Sequence, residues 1–263
     1  LLLGNRVLFT ARDGVHGLAV WKSDGTAEGT ALVQDINPIP RGSYPTPAAI
    51  MGSEIYFGAD DGIGYGSLWA SDGTEAGTRL IHRNYNGVQA PAVVGQQVFF
   101  VSWEDQTGQE LFVSDGTTAG THLVEDINPD PARGAQPAAL TAMNSLLYFS
   151  ADDDVINDER LGRELWVSDG TAAGTDIVID LNPGNGSSRP SGLTLIDGRL
   201  YLAASGPDGE ELYTTDGTEA GTELVIDLNA GSSSSNPTEL TRVGSEVAFA
   251  ATDGSAGGIW MSD

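Results

Sequence analysis

The sequence predicts an all-β fold, a β-propeller of four-stranded antiparallel blades, and three observations carry this prediction. A seven-residue phrase ending in Asp-Gly-Thr occurs five times, followed by a shortened sixth copy. The aspartates of successive copies are 43–54 residues apart, a period typical of propellers, solenoids and arrays. Each repeat divides into four β-compatible runs, and no segment has a convincing helical period. The six copies are Val20–Thr26, Leu68–Thr74, Leu111–Thr117, Leu165–Thr171, Leu212–Thr218 and Ile259–Asp263.

The four strands of a repeat, labelled a to d, are clearest between Gly192 and Asp227. The dipeptide Asp197-Gly198 divides the first two apolar runs, and this pair strongly predicts a two-residue hairpin turn. Strand b is nearly continuous in its apolar residues in most copies, which indicates burial on both faces between neighbouring sheets. The predicted strands of this repeat are Gly192–Ile196, Arg199–Ala204, Glu211–Thr215 and Glu223–Asp227.

The same division of every repeat predicts six copies each of strands a, b and c and five of strand d. We expect residues 1–263 to form a single propeller domain, most simply with six blades, and to be a fragment of a longer chain. The last outer strand is then missing or supplied from outside the fragment. Ring closure would protect sheet edges from aggregation. A ring of seven or eight blades seen in part is the main alternative, and an open solenoid is a weaker one.

The composition excludes several classes of function. The net charge of −25 repels phosphate backbones and acidic membrane surfaces, so we expect no nucleic-acid partner, whereas cations and basic partners are favoured. Cysteine is absent, which excludes disulfides, thiolate zinc sites and cysteine nucleophiles. No stretch approaches the roughly 20 apolar residues of a membrane-spanning helix.

The repeated phrase resembles the bacterial ELWxxDGT repeat family, which is named after its motif. The segments Glu164–Thr171 and Glu110–Thr117 are the nearest matches, and Ala173-Gly174-Thr175 with Asp180–Pro183 matches the second half of the pattern. The resemblance covers nearly the whole chain. It implies a propeller-like repeat domain of an exported or cell-surface bacterial protein, which is secreted, at the cell surface or in the periplasm. It implies no catalytic residues, because the family is defined by repeats and not by a reaction.

Two repeated features are expected to be structural. The Asp-Gly-Thr turn between strands c and d suits a tight turn, because Asp bonds backbone amides two residues on and Gly accepts positive φ. The large aromatic residue before each turn is expected to pack between neighbouring sheets. These aromatic residues are Trp21, Trp69, Phe112, Trp166, Tyr213 and Trp260.

Oxygen-rich segments are candidates for a calcium site. The connection from strand d to the next strand a carries an Asp-x-Asn pattern, as in Asp126 and Asn128, which suits either Ca²⁺ or an Asx turn. The loop between strands b and c of the fourth repeat is expanded and acidic. There we name Asp152, Asp154 and Asp158 as candidate metal ligands, with a solvated acidic loop as the alternative.

Departures from the repeat indicate a binding surface where the second and third blades meet. Arg83 lies where other copies have Asp, and Trp103 lies in a segment where other copies lack Trp. With Tyr65 and Tyr85, these residues belong to loops on one face of the predicted propeller. Tyr, Trp and Arg are enriched in binding hot spots, so we predict a binding patch here, with neutral loop variation as the alternative.

The sequence offers no convincing catalytic group, because its three histidines lie in different repeats without metal-like spacing. We therefore expect a non-catalytic extracellular or periplasmic module that binds a protein partner or joins a larger assembly. A Ca²⁺-dependent carbohydrate-binding or matrix-binding module is the second hypothesis. A propeller hydrolase or lyase is the third.

Overall fold

A computed structural model of the chain describes residues 1–46, 48–64, 66–84, 86–153, 161–183 and 186–263. Within these residues the fold is all-β and propeller-like, with 23 strands in five four-stranded sheets and one three-stranded sheet. Each sheet is called a blade below. The only helix among the described residues is a single 3₁₀ turn, Ala172–Gly174. The predicted count of six a, six b, six c and five d strands is confirmed.

The chain forms two compact units, residues 1–124 and 125–263, and each is described by itself. The first unit contains three blades whose strands are antiparallel and follow chain order across each sheet. Blade 1 consists of β1 (Leu2–Leu3), β2 (Arg6–Arg12), β3 (Leu18–Ser23) and β4 (Ala31–Leu32). Blade 2 consists of β5 (Ala49–Met51), β6 (Glu54–Ala59), β7 (Ser67–Ser71) and β8 (Arg79–His82). Blade 3 consists of β9 (Gln89–Val94), β10 (Gln97–Glu104), β11 (Gly108–Ser114) and β12 (His122–Leu123).

The second unit contains the remaining three blades, again with antiparallel strands in chain order. Blade 4 consists of β13 (Ala138–Met143), β14 (Leu146–Asp152), β15 (Arg163–Ser168) and β16 (Asp176–Ile179). Blade 5 consists of β17 (Ser191–Ile196), β18 (Arg199–Gly206), β19 (Gly209–Thr215) and β20 (Glu223–Ile226). Blade 6 has three strands, β21 (Thr238–Val243), β22 (Glu246–Thr252) and β23 (Gly257–Ser262).

The hairpin turns between strands a and b take two forms, which their residues explain. Asp197 and Gly198 both have positive φ, 47° and 88°, as a type I′ turn requires. At Gly4 the φ is 61°, whereas Asn5 is not in the positive region, which matches the type II′ turn predicted from a leading glycine.

Blades pack face to face through strands b and c within each unit. In the first unit, Leu8 and Val20 of blade 1 cluster with Ile55 and Phe57 of blade 2. In the second unit, Tyr201 and Leu212 of blade 5 cluster with blade 6. The blade 6 members of that cluster are Val247, Phe249 and Ala251, with Trp260 packed against them. Because the b strands contribute residues to both faces, they are apolar at nearly every position, as the sequence indicated.

The segment that enters strand a has an unusual backbone in four blades. A non-glycine residue with positive φ (45–51°) precedes a proline, and its side chain is exposed to solvent. The residue before this one is buried. Its carbonyl oxygen accepts a hydrogen bond from a backbone N–H of strand b or of the residue that follows strand b. In blade 5 the distance from Ser205 N to Ser188 O is 2.7 Å. The four exposed residues are Tyr44, Gln136, Arg189 and Asn236.

No helix in the described part of the chain is both long and apolar enough to cross a membrane. Six sheets fit a six-bladed propeller, whereas closure of the sheets into a ring stays a prediction.

Candidate functional site

The Asp-Gly-Thr turns form a closed network of hydrogen bonds. In blade 4, the Asp169 carboxylate accepts from Thr171 N (2.8 Å) and from Thr171 Oγ1 (2.7 Å). Thr171 Oγ1 in turn accepts from Gly174 N at 3.1 Å. Bonds from the Thr171 hydroxyl and amide lower the pKa of Asp169. The same bonds recur in the other complete copies, for example at Asp72 and Asp216, so the turn has the local structural role that the sequence predicted.

The glycine of this turn also lies against the preceding blade. A Cβ added to Gly217 in blade 5 would collide with the Tyr148 hydroxyl of blade 4, and one added to Gly116 in blade 3 would collide with Tyr56 of blade 2. Both glycines have φ above 90°. Glycine is therefore required for backbone conformation and for the approach of the neighbouring blade.

The glutamate that opens the motif holds the connection from strand d to the next strand a. Glu164 is fully buried, and its carboxylate accepts bonds from Ser188 N (2.6 Å), Ser188 Oγ and Leu181 N. Glu211 makes the equivalent bonds to Ser235 and Leu228 in the next repeat. Burial raises the pKa of Glu164 to about 7, although the bonds from Ser188 and Leu181 oppose this shift. This role could not be predicted from the sequence, because the bonded residues are 17 and 24 positions from Glu164.

Of the four predicted binding residues, two are described and lie at the edge between blades 2 and 3. Arg83 Nη1 donates to Asp61 Oδ2 at 2.8 Å, which joins two loops of blade 2. Asn84, the residue after Arg83, contacts blade 3, because its Nδ2 donates a hydrogen bond to the Trp103 carbonyl oxygen at 3.4 Å. Tyr65 and Tyr85 lie outside the described residues. A binding role for this patch stays a prediction.

A buried polar cluster that the sequence did not indicate lies beside this patch. His82 Nε2 is 3.2 Å from Ser102 Oγ, and Asn84 Nδ2 donates to the same oxygen. The His82 ring also contacts Phe100 and Phe112, at centroid distances of 5.6 and 5.2 Å. Burial lowers the pKa of His82, which favours the neutral ring. Because Ser102 is 1% exposed, its hydroxyl is closed to a substrate, and the cluster fixes the loop after β8 to blade 3.

The metal prediction is only partly within the described residues. Asp152 pairs across the sheet with Arg163, while Asp154 and Asp158 lie outside the described residues. Among the residues that are described, no group of three or more His, Asp or Glu side chains could hold a metal ion. The Asp-x-Asn connections form turns there: Asn128 Oδ1 accepts from Asp130 N at 3.0 Å, and Asn229 Nδ2 donates to Ser234 O at 3.0 Å.

A solvent-open pocket of about 650 Å³ is lined by residues of blades 1 and 2 in the first unit; it is called the cavity below. Its walls are mostly aliphatic and aromatic, and two threonines, Thr10 and Thr46, add hydroxyl groups. Its volume falls within the range of small-molecule sites, but the pocket is more open to solvent than an enclosed ligand cavity. The apolar lining residues are Leu1, Leu8, Phe9, Val20, Pro45, Ala48, Ile55 and Phe57.

The fold resembles solved structures of hydrolytic enzymes. The structure of a puromycin hydrolase mutant complexed with PGG matches 98% of this chain with a TM-score of 0.56 and 14% identity. A second puromycin hydrolase structure matches 94% of the chain (TM-score 0.54, 14% identity), as does a puromycin-hydrolyzing peptidase of Mycobacterium tuberculosis (0.54, 16% identity). The chain spans 40–42% of the length of these proteins. No protein-family model matches the chain, and no curated protein does.

At this level of identity the likeness shows the fold alone. The expectation of a non-catalytic interaction module is corrected here: the three matching structures named above are hydrolases and a peptidase, so a non-catalytic role is not supported. The repeats contain no convincing catalytic constellation, but this does not establish that the protein lacks enzymatic function.

Proposed function

We propose that this chain is the substrate-binding, propeller-like part of a hydrolase. The observation that carries the proposal is the cavity of about 650 Å³ between blades 1 and 2, found in a fold shared with puromycin hydrolases. In this proposal the cavity binds an apolar or aromatic portion of a small amide substrate. Its two threonine hydroxyls orient the polar atoms of that substrate.

Part of the cavity wall suits this role because hydrogen-bonded strands build it. Ile55 and Phe57 lie on β6 and are almost fully buried, and Val20 lies on β3. A Thr46 hydroxyl that accepts from Gly58 N at 2.9 Å ties the segment before β5 to β6.

The bond-breaking groups in this proposal lie outside these 263 residues. The Ser102–His82 contact cannot attack a substrate because the serine is buried. The chain also spans only about two fifths of the hydrolases that share its fold. In this proposal the propeller-like part binds the substrate and a different part of the enzyme cleaves it.

Puromycin is the probe that tests the proposal. We expect saturable binding of puromycin to the purified chain by isothermal titration calorimetry, with no cleavage of its amide bond. The Ala48→Leu variant places a larger side chain in the cavity, and we expect it to weaken binding at least about tenfold, or about 1.4 kcal/mol. Ala27→Leu, on an exposed turn of blade 1, is the matched control and should bind as the wild type does.

Three outcomes would contradict the proposal. Absence of binding would remove the cavity as a puromycin site. Equal affinity in Ala48→Leu and wild type would place binding elsewhere. Cleavage of puromycin by the purified chain would show that the reacting groups lie within it.

We also propose four further properties of the chain. They are closure into a six-bladed ring, membership of the ELWxxDGT repeat family, an exported location and a Ca²⁺ ion in the loop with Asp152, Asp154 and Asp158.

A further inference from the structure

The entrances to strand a of blades 4, 5 and 6 carry three exposed polar side chains at equivalent positions. These residues are Gln136, Arg189 and Asn236, each with a positive φ of 48–51° and each followed by a buried proline. Within this unit β17 packs beside both β13 and β21, and Thr194 Oγ1 donates to Leu240 O at 3.1 Å across the second of these contacts. The arginine therefore enters the middle strand of three, with an amide-bearing residue at the entrance to each neighbour.

The backbone of Arg189 is held by hydrogen bonds, whereas its side chain is exposed to solvent. Its N–H donates to the Arg163 carbonyl oxygen at 2.9 Å. Ser188, the residue before it, is fully buried and bonded to the Glu164 carboxylate through its N–H and its hydroxyl. Asn, Asp and His are the non-glycine residues enriched at positive φ. Backbone preference therefore does not explain an arginine at this position, which leaves its side chain as the reason.

A second arginine, Arg163, lies beside Arg189 and belongs to strand c of blade 4. Its guanidinium donates to the Gln136 carbonyl oxygen at 3.0 Å and to Ser150 Oγ at 3.3 Å. Burial lowers the pKa of Arg163, Asp152 opposes this shift, and the charge of Arg189 adds to it. Two positive groups therefore lie close to each other where strand a of blades 4 and 5 begins.

Two other arginines of this unit are paired with carboxylates, as expected in a chain whose net charge is −25. Arg163 differs, because the bonds described for its guanidinium end on carbonyl and hydroxyl oxygens. Its charge is partly offset by Asp152 and otherwise adds to the positive potential around Arg189. The two carboxylate-paired arginines are Arg199, 3.0 Å from Glu223, and Arg242, 2.7 Å from Asp197.

We propose that Arg189 binds the carboxylate group of a small organic ligand, with Gln136 and Asn236 as flanking hydrogen-bond donors. A planar guanidinium donates two parallel N–H bonds to the two oxygens of a carboxylate. The amide groups of Gln and Asn supply further N–H donors for oxygens next to that carboxylate. The site lies wholly within the second unit, so it is a binding site in addition to the cavity of blades 1 and 2.

A carboxylate suits this site better than a phosphate group. A phosphate monoester carries about 1.5 to 2 negative charges near neutral pH, whereas a carboxylate carries one. The acidic chain therefore repels the phosphate more strongly before it reaches the two arginines.

A chemical-shift titration of the isotope-labelled chain with N-acetylglycine tests the proposal. This probe carries one carboxylate, and N-acetylglycinamide is its uncharged counterpart. With the ionic strength held at about 0.15 M by NaCl, we expect saturable shifts of the amide resonances around Arg189 with the acid and none with the amide. Acetate is the third probe: equal affinity for acetate identifies the carboxylate alone as the ligand group, and tighter binding of N-acetylglycine identifies the carboxyl end of a peptide.

Arg189→Gln is the decisive variant, because Gln136 shows that glutamine is accepted at this backbone conformation. We expect this variant to bind N-acetylglycine at least about tenfold more weakly than the wild type. Arg189→Lys keeps the charge without the planar fork and should have an intermediate affinity. Arg242→Gln removes the same charge from another exposed position of the unit and should bind as the wild type does.

Four outcomes would overturn the proposal. They are no shift with N-acetylglycine, equal shifts with N-acetylglycinamide, equal affinity in Arg189→Gln and wild type, and equal weakening in Arg189→Gln and Arg242→Gln. The last of these would mean that the ligand responds to the overall charge and not to a site. The dispersion of the amide resonances in the same spectra shows whether each variant is folded.

Discussion

The buried Glu164 shows how a residue of the repeated motif connects packing with protonation. Its carboxyl has no exposed surface, and its pKa is raised by burial from 4.5 to about 7. A group with a raised pKa contributes stability fully below its unfolded value and loses that contribution as the pH rises through the folded value. The relevant window for Glu164 is therefore from about pH 4.5 to about pH 7.

We predict that the free energy of unfolding falls across this window by up to about 3 kcal/mol because of Glu164. Urea unfolding at pH 5 and pH 8 should show this fall in the wild type and a smaller one in Glu164→Gln, whose side chain does not ionise. Glu219→Gln, at an exposed turn residue, should keep the wild-type dependence. Equal pH dependence in wild type and Glu164→Gln would mean that the hydrogen bonds from Ser188 and Leu181 outweigh burial.

Residue roles of this kind could be predicted only in part from the sequence. The Asp-Gly-Thr turn was predictable because its bonds connect residues within a few positions of each other. The contact between His82 and Ser102 was not, because it depends on how β8 of one blade faces β10 of the next. The bonds of Glu164 join residues 17 and 24 positions apart, which a local pattern does not indicate.

Among the structural elements, the turn between strands c and d contributes both a local bend and a contact between blades. Gly198 and Gly217 provide a matched pair, since both have positive φ, 88° and 97°. Only Gly217 has a neighbour within 4 Å of an added Cβ, the Tyr148 side chain.

We predict that Gly198→Ala costs about 1 kcal/mol of stability from backbone strain. Gly217→Ala should cost at least about 2 kcal/mol, since the same strain is joined by the collision with Tyr148. Denaturant unfolding measures both values. Adding Tyr148→Phe should recover part of the loss in Gly217→Ala, and a strictly additive double-mutant cycle would show that the two side chains do not interact in this way.

Strands were the best predicted elements. In blade 5 the predicted strands agree with β17 to β20 to within two residues at each end, because apolar runs and Gly-containing turns both mark the boundaries. The cavity between blades 1 and 2 was not predicted. Its shape depends on how two sheets stack, and repeat alignment carries no information about the space left between them.

At the scale of the whole molecule, the charge of −25 acts against compactness. We predict that added NaCl raises the melting temperature because it screens this repulsion, and that MgCl₂ at equal ionic strength acts similarly. If the predicted calcium site exists, CaCl₂ at that ionic strength should add a further rise of several degrees. The double variant Asp154→Asn with Asp158→Asn should lose this extra rise. Identical curves in CaCl₂ and MgCl₂ would eliminate the calcium site.

The positive-φ residues that precede strand a are positions where the sequence can vary during evolution. Tyr44, Gln136, Arg189 and Asn236 occupy equivalent positions, yet they are an aromatic, an amide, a cation and a second amide. Each is framed by a buried small residue before it and a proline after it. A substitution at one of these four positions changes an exposed side chain and leaves the buried core residues unchanged. The repeats thus share one backbone conformation at these positions but differ in the exposed side chain, so exchanges among residues that tolerate positive φ can change the surface chemistry without altering the core.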